Sequence, residues 1–383
     1  MTRRAFSFAT AGRITFGTGS ATEIPGAIVA HGRRALVVTG AHPERFDVMD
    51  ALAEGDITVT QLRLDDEPTI DDVREAAASA RGCDVVLGLG GGAVLDLAKA
   101  AGALVMADDP MDHLEVIGRG RPLPGRGLPV VAVPTTAGTG SEVTANAVLS
   151  SPDDGVKVSL RGHTVLPHVA IVDPLLTMSC PPKVTASSGL DAFTQCLEPY
   201  VSPMASPLTD GFARSGLAAA GRSLRTAYAD GSDVEARTDM ALCSLLGGLA
   251  LANAKLGAVH GIAGVVGGLT GGPHGAICAA LLPSVVTVTT GALRSRDPRS
   301  VALRRYSHAA DIVTGERQSR TDDLVSWIRE TSQALSVPGL SAYGLGDDDV
   351  DRVVSASARS SSMKGHPIEL TPDELALIVQ SSR

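Results

Sequence analysis

"VVLGLGGGAVLDLAKAAGAL", residues 85–104, reads in order as an apolar strand, a glycine turn and a helix. Gly90, Gly91 and Gly92 remove side chains where a phosphate must approach the backbone, and the start of the helix offers free N–H groups and the positive end of its dipole. That combination is an anion site; a turn that merely reverses the chain is the competing explanation. Gly88, Gly90 and Ala93 satisfy the G-x-G-x-x-G/A spacing, but no acid closes a strand about 20 residues later to hold a ribose.

Outward from this stretch the same alternation continues. "RALVVTG" (34–40) and "ITVTQL" (57–62) read as strands, and "PERFDVMDALAE" (43–54) and "TIDDVREAAASA" (69–80) carry helical spacing with acidic starts. "LPVVAVP" (128–134) and "VAIVDP" (169–174) add two more strands. Strand–helix alternation implies a parallel sheet. From about Pro181 onward the patterns are helical, with no convincing alternating strands. The expected fold is therefore α/β plus all-α: an N-terminal parallel-sheet dinucleotide-binding domain over residues 1–179, and a C-terminal helical domain over 180–383 carrying any metal and substrate.

Bulk properties narrow the function. The 383 residues carry a formal net charge of −9 with no basic cluster, which argues against nucleic acid. The most apolar stretch, 256–288, is interrupted by His260, Pro273 and His274, so a buried helical layer is expected rather than a membrane span. The five cysteines are scattered, with no CxxC pair, which suits a reducing cytoplasm.

Two further groups of polar residues need a role. "VPTTAGTGSEVTANAVL" (133–149) follows a strand and offers Thr135, Thr136, Thr139, Gly140 and Ser141 to a nucleotide, or else Ser141 and Glu142 as a helix cap. "ASSGLDAFTQCLEPY" (186–200) places Asp191 and Gln195 one helical turn apart, and His260 and His274 flank "GIAGVVGGLTGG". One carboxylate, one amide oxygen and two imidazoles form a mixed N/O donor set for Fe²⁺ or Zn²⁺. Taken singly, the same residues serve as well for helix surface pairs and hydrogen-bonded histidines.

The ordered motifs "RITFGTGSATEIP", "GGGAVLDLAKA", "VPTTAGTGSEVT", "KVSLRGHTVLPHVAIVDP", "GLDAFTQCLEPYVS" and "VHGIAGVVGGLTGGPHG" resemble the iron-dependent, group III alcohol dehydrogenases. That family includes maleylacetate reductases and is related to glycerol dehydrogenase and dehydroquinate synthase. The resemblance implies a dehydroquinate synthase-like fold and an NAD(P)-dependent interconversion of an alcohol with an aldehyde or ketone. A metal-independent maleylacetate reductase-like enzyme and a dehydroquinate synthase-like lyase are the alternatives it carries.

It also implies residue roles. Gly90, Gly91, Gly92 and Asp96 match the pyrophosphate loop and its helix; Thr135, Thr136, Thr139 and Ser141 match the second cofactor loop; Lys157 matches a lysine that reaches the cofactor. Asp191, His260 and His274 match metal ligands and catalytic residues. Gln195 stands where many members have a fourth, histidine ligand, and Gly264 where some have a proton-relaying histidine; His163, Thr194 or water would then relay the proton. Gly40 stands where NAD-preferring members have aspartate, with Arg45 nearby, so both NAD and NADP are admitted. A small-molecule alcohol or carbonyl substrate and a homodimer complete what the resemblance implies.

Overall fold

The computed structural model describes residues 5–114 and 116–383. The chain divides into two compact units. One comprises Ala9–Thr136 and Gly140–Cys180; the other comprises Pro181–Arg383 together with residues 5–8 and Ala137–Thr139.

The first unit is built on strands β1 (Arg13–Phe16), β2 (Arg34–Thr39), β3 (Thr58–Arg63), β4 (Val85–Gly90), β5 (Val130–Pro134) and β8 (Val169–Val172), with a hairpin of β6 (Asn146–Ser151) and β7 (Val156–Arg161). Its helices are α1 (Ile24–Val29), α2 (Val48–Glu54), α3 (Ile70–Ala80) and α4 (Gly92–Leu104). The six-stranded sheet runs β1-β8-β5-β4-β2-β3, with every pair parallel. β2, β4, β5 and β8 are almost wholly buried, which is why they read as unbroken apolar runs. Alternate strand residues feed two cores, Leu36, Val38, Val86 and Val130 on one side and Val37, Leu87, Val131 and Ile171 on the other.

Two elements depart from the expected five strands. β1 is four residues, too short for its alternation to register, and it pairs with the distant β8. The segment expected to be a polar loop through residue 149 instead enters β6 at Asn146, whose residues alternate in burial and pair antiparallel with β7. α3 begins as its sequence suggests: Thr69 caps it, accepting from the Asp72 N–H while Asp72 accepts from the Thr69 N–H.

The topology positions a ligand. The chain leaves β2 for β3 on one side and β4 for β5 on the other, so the crevice of this doubly wound sheet opens at the carboxyl ends of β2 and β4. Gly40 follows β2, and Gly91 follows β4.

In the second unit the helices are α5 (Pro182–Val201), α6 (Pro207–Ala229), α7 (Val234–Ala254), α8 (Ala258–Thr270), α9 (His274–Arg296), α10 (Val301–Thr314), α11 (Thr321–Ala334), α12 (Val350–Ser357) and α13 (Pro372–Ser381). α5 lies against α6, α7 and α9, and α8 packs on α9, around a core that includes Leu190, Phe193, Ile262, Ile277 and Leu281. α9 is long and apolar enough to cross a membrane, yet 72% of that window is buried among these helices. The apolar stretch 256–288 is thus a buried helical layer, as expected.

Candidate metal and nucleotide sites

Three helices of the second unit bring Asp191, His260, His274 and Cys278 together. One ligand atom from each lies within 4.8 Å of the others. Asp191 sits in the middle of α5, His260 in the first turn of α8, and His274 and Cys278 one turn apart at the start of α9.

Glycines explain why the helix ends meet. Gly271 closes α8 with φ +68, a conformation that strains any residue with a Cβ. Gly275 lets the first turn of α9 lie on α5, since a Cβ there would be 2.9 Å from the Ser187 carbonyl oxygen. The glycine-rich bend around His274 is therefore a device of close packing.

Asp191 and His260 are buried, with relative exposures of 1% and 7%. Asp191 Oδ1 and His260 Nε2 face each other at 3.3 Å without hydrogen-bond geometry, and neither atom has another hydrogen-bond partner. Such atoms are costly to bury unless something satisfies them, about 1–3 kcal/mol each. His274 Nε2 lies 3.6 Å from Cys278 Sγ, and the His260 and His274 ring centroids are 5.4 Å apart.

Sequence reasoning missed Glu198, the residue that orients the centre. Its Oε2 contacts His260 Nδ1 at 2.7 Å, and its Oε1 accepts the Val259 N–H at 2.7 Å. With Nδ1–H donated to Glu198, Nε2 keeps its lone pair for the cluster, the carboxylate–histidine arrangement typical of metal sites. The available signal was helical: Asp191, Gln195 and Glu198 recur at intervals of four and three, on one face of α5.

The electrostatics are those of a cation site. Burial alone would lower the His260 pKa, but the adjoining Asp191 and Glu198 carboxylates outweigh it and push it up to about 10. Burial would raise the Asp191 pKa; His260, His274 and Cys278 hold it below its ordinary value instead. Without an ion, a proton stands where the ion would bind.

Gln195 stands beside Asp191 on α5. Its Nε2 donates to Asp191 Oδ2 at 2.9 Å, because a carboxylate can only accept, while its Oε1 is buried without a partner. Of the relay groups considered, Thr194 donates its hydroxyl to the Leu190 carbonyl within α5 at 2.7 Å. A Cβ at Gly264 would meet nothing within 4 Å. Outside the cluster, His366 is buried, accepting the Ala258 N–H on Nδ1 and contacting the Thr289 hydroxyl through Nε2.

In the first unit the glycine loop divides its labour. A Cβ at Gly90 would lie 2.7 Å from the Val94 side chain, so this glycine serves strand–helix packing. Gly91, at the N-cap of α4, leaves ordinary space toward Thr136, and Gly92 opens the helix. These two present the bare backbone an anion needs. Thr135 donates its N–H to the Gly90 carbonyl, joining the two loops.

Asp96 and Ser141 face inward. Asp96 accepts from Ser141 Oγ at 2.5 Å and from the Val148 N–H at 2.8 Å, and lies 3.0 Å from Lys99 Nζ. Lys99, fully buried and unanticipated, also donates to Ser141, Thr144 and the Asn146 carbonyl. The arrangement clamps the loop after β5 onto α4, so Asp96 and Ser141 shape the loop. Lys157 pairs with Glu67 at 3.3 Å, and Arg45 is exposed beyond Gly40. Thr139 falls with the helical unit.

Comparison with known proteins gives this geometry a family. Residues 11–174 match the family described as iron-containing alcohol dehydrogenase, and residues 185–382 match its C-terminal counterpart. The chain is 47% identical to long-chain-alcohol dehydrogenase 1 of Geobacillus thermodenitrificans over 223 residues, which is 57% of this chain and 56% of that protein. Its fold superposes on a crystal structure of 1,3-propanediol oxidoreductase with a TM-score of 0.89 and 30% identity, covering 99% of this chain and 100% of that one. It superposes similarly on sulfoacetaldehyde reductase from Bifidobacterium kashiwanohense in complex with NAD⁺, with a TM-score of 0.86, 28% identity and 98% of each chain covered.

Proposed function

We propose, from the premise that this chain belongs to the iron-containing alcohol dehydrogenase family and is an alcohol dehydrogenase, that Asp191, His260 and His274 hold a divalent cation and that the loops after β2, β4 and β5 hold NAD(H) or NADP(H). When bound, the ion would supply a Lewis acid for the substrate oxygen, and the dinucleotide would supply the hydride donor or acceptor for interconverting an alcohol with an aldehyde or ketone.

The observation that carries this reading is the convergence of buried Asp191 Oδ1 and His260 Nε2, 3.3 Å apart and without a hydrogen-bond partner, with His274. Each residue has a definable task. Asp191 contributes the negative charge that offsets the ion, Glu198 fixes the His260 tautomer, and Gln195 braces the second oxygen of Asp191. Gly91 and the first turn of α4 bind pyrophosphate, while the Asp96–Ser141–Lys99 clamp keeps the following loop in shape. Gly40 places no carboxylate against a 2′-phosphate, which supports the use of NADP(H) as well as NAD(H).

A maleylacetate reductase-like enzyme without metal is disfavoured by the three carboxylate and imidazole donors kept together in the interior, where uncompensated charge is costly. The same reading takes the protein as a homodimer working in the cytoplasm, which its five scattered cysteines, with no CxxC pair, suit. The test is elemental analysis of purified protein combined with NADH and NADPH consumption over a panel of aldehydes and ketones. Stoichiometric metal, turnover abolished by chelators and its recovery on adding metal back support the proposal. Full turnover in protein without metal, or undiminished turnover in His260→Ala, refutes the metal assignment.

A further inference from the structure

We infer that Cys278, rather than Gln195, supplies the fourth protein ligand of the cation site, giving an Asp–His–His–Cys donor set that favours Zn²⁺ over Fe²⁺; the inference rests on the metal reading above and specifies its chemistry.

Distances support it. At a tetrahedral zinc, ligand lengths of about 2.05 Å to nitrogen and about 2.3 Å to sulfur put the two donor atoms about 3.6 Å apart. His274 Nε2 and Cys278 Sγ are separated by 3.6 Å. For nitrogen and a carboxylate oxygen the corresponding edge is about 3.4 Å. His260 Nε2 and Asp191 Oδ1 are separated by 3.3 Å. Two edges of the ligand tetrahedron are thus already formed by the side chains.

Helix geometry supplies the thiol. His274 and Cys278 are i and i+4 on α9, hence on one face, and Gly275 between them lets that face lie against Asp191. Cys278 is buried, so its sulfur belongs to the cluster rather than to solvent.

Chemistry separates Cys278 from its rival. The amide of Gln195 is oriented by Nε2–H donation to Asp191, and its carbonyl is a neutral oxygen. On ion binding the Cys278 thiol and the His260 imidazolium would each release one proton to solvent, freeing a sulfur and a nitrogen lone pair for the ion. One thiolate and one carboxylate then balance the two positive charges. Soft thiolate donors select zinc over ferrous iron. Zinc also expands to five-coordinate at catalytic sites, so four protein donors leave room for a substrate oxygen.

The test uses the 383-residue protein stripped of metal and reloaded anaerobically with one equivalent of Co²⁺. Ligand-field bands in the visible report that cobalt is bound, and a thiolate-to-cobalt charge-transfer band in the near ultraviolet reports sulfur ligation. Both are expected in the parent. The charge-transfer band is expected to vanish in Cys278→Ser and Cys278→Ala and to persist in Gln195→Leu. Zn²⁺ affinity in Cys278→Ser should fall by at least about tenfold, the lower bound even for losing an outer partner of a ligand, and by more than Fe²⁺ affinity. Bound cobalt with no charge-transfer band in the parent overturns the Cys278 assignment and leaves the metal site standing. Absence of both bands overturns the metal reading and this assignment together.

Discussion

Glu198→Gln tests how the centre is preorganised. Glu198 is 6% exposed and makes two short contacts, each of 2.7 Å, to the Val259 N–H and to His260 Nδ1. A glutamine has the same shape and can keep its Oε1 on the Val259 N–H, so the first turn of α8 stays capped. Its amide nitrogen then faces His260 Nδ1 as a donor. The ring must answer by accepting on Nδ1, which moves its proton to Nε2, the atom that faces Asp191 and the proposed ion. A protonated Nε2 cannot ligate. Losing an outer partner of a metal-bound histidine costs about 10–100-fold in affinity, about 1.4–2.8 kcal/mol. The enforced tautomer argues for the upper end of that range. The assay is competition for Zn²⁺ or Co²⁺ between the protein and a chelator of known affinity, with circular dichroism and a thermal melt to establish folding. A folded variant whose metal affinity lies within about threefold of the parent would falsify the proposed orientation of His260.

The remaining predictions address the cofactor loops and stability. Gly91→Ala adds a methyl in ordinary contact with Thr136 but in the path of a phosphate, so dinucleotide affinity should fall about tenfold, about 1.4 kcal/mol, with the melting temperature preserved. Gly90→Ala should instead destabilise the fold by about 1–3 kcal/mol, because its Cβ would lie 2.7 Å from Val94. Unaltered cofactor titration in Gly91→Ala places the phosphate elsewhere. Gly40→Asp has room beside Val94, 3.8 Å away, and should raise the ratio of NADP⁺ to NAD⁺ KM by about tenfold or more, about 1.4 kcal/mol; an unchanged ratio removes the ribose from the end of β2. Burial lowers the His366 pKa from 6.5 to about 4, despite the opposing charges of Glu198 and Glu374. The unfolded chain therefore binds the extra proton between those values, and the contribution of neutral His366, full above about pH 6.5, is lost as pH falls toward 4. Denaturant titrations should show about 2 kcal/mol of stability lost between pH 7 and 5 from this residue alone, and His366→Asn should flatten that slope.

Much of the molecule was legible because its signals are local. A parallel strand buried on both faces has to be apolar along its length, so β2, β4, β5 and β8 stand out from composition alone. The change to helical periodicity near Pro181 is equally local. β1 was hidden because four residues carry no period, and its partner β8 lies more than 150 positions away. The β6–β7 hairpin was hidden behind the Thr- and Ser-rich segment that leads into it.

By itself the sequence determined the alternation of strand and helix and the glycine turn after β4, and it offered Asp191, His260 and His274 as donors of the right chemical type. These follow from side-chain identity and near-neighbour spacing, which the linear chain carries. Tertiary structure decided which polar groups meet. Only packing of α5, α8 and α9 brings Asp191 and His260 to the His274–Cys278 pair and puts Glu198 behind His260. Only packing of α4 against the loop after β5 turns Asp96 and Ser141 inward onto Lys99. A hydrogen bond or a ligand edge such as Lys99–Ser141 or Glu198–His260 spans about 3 Å between residues more than 40 positions apart, and no periodicity along the chain encodes that distance.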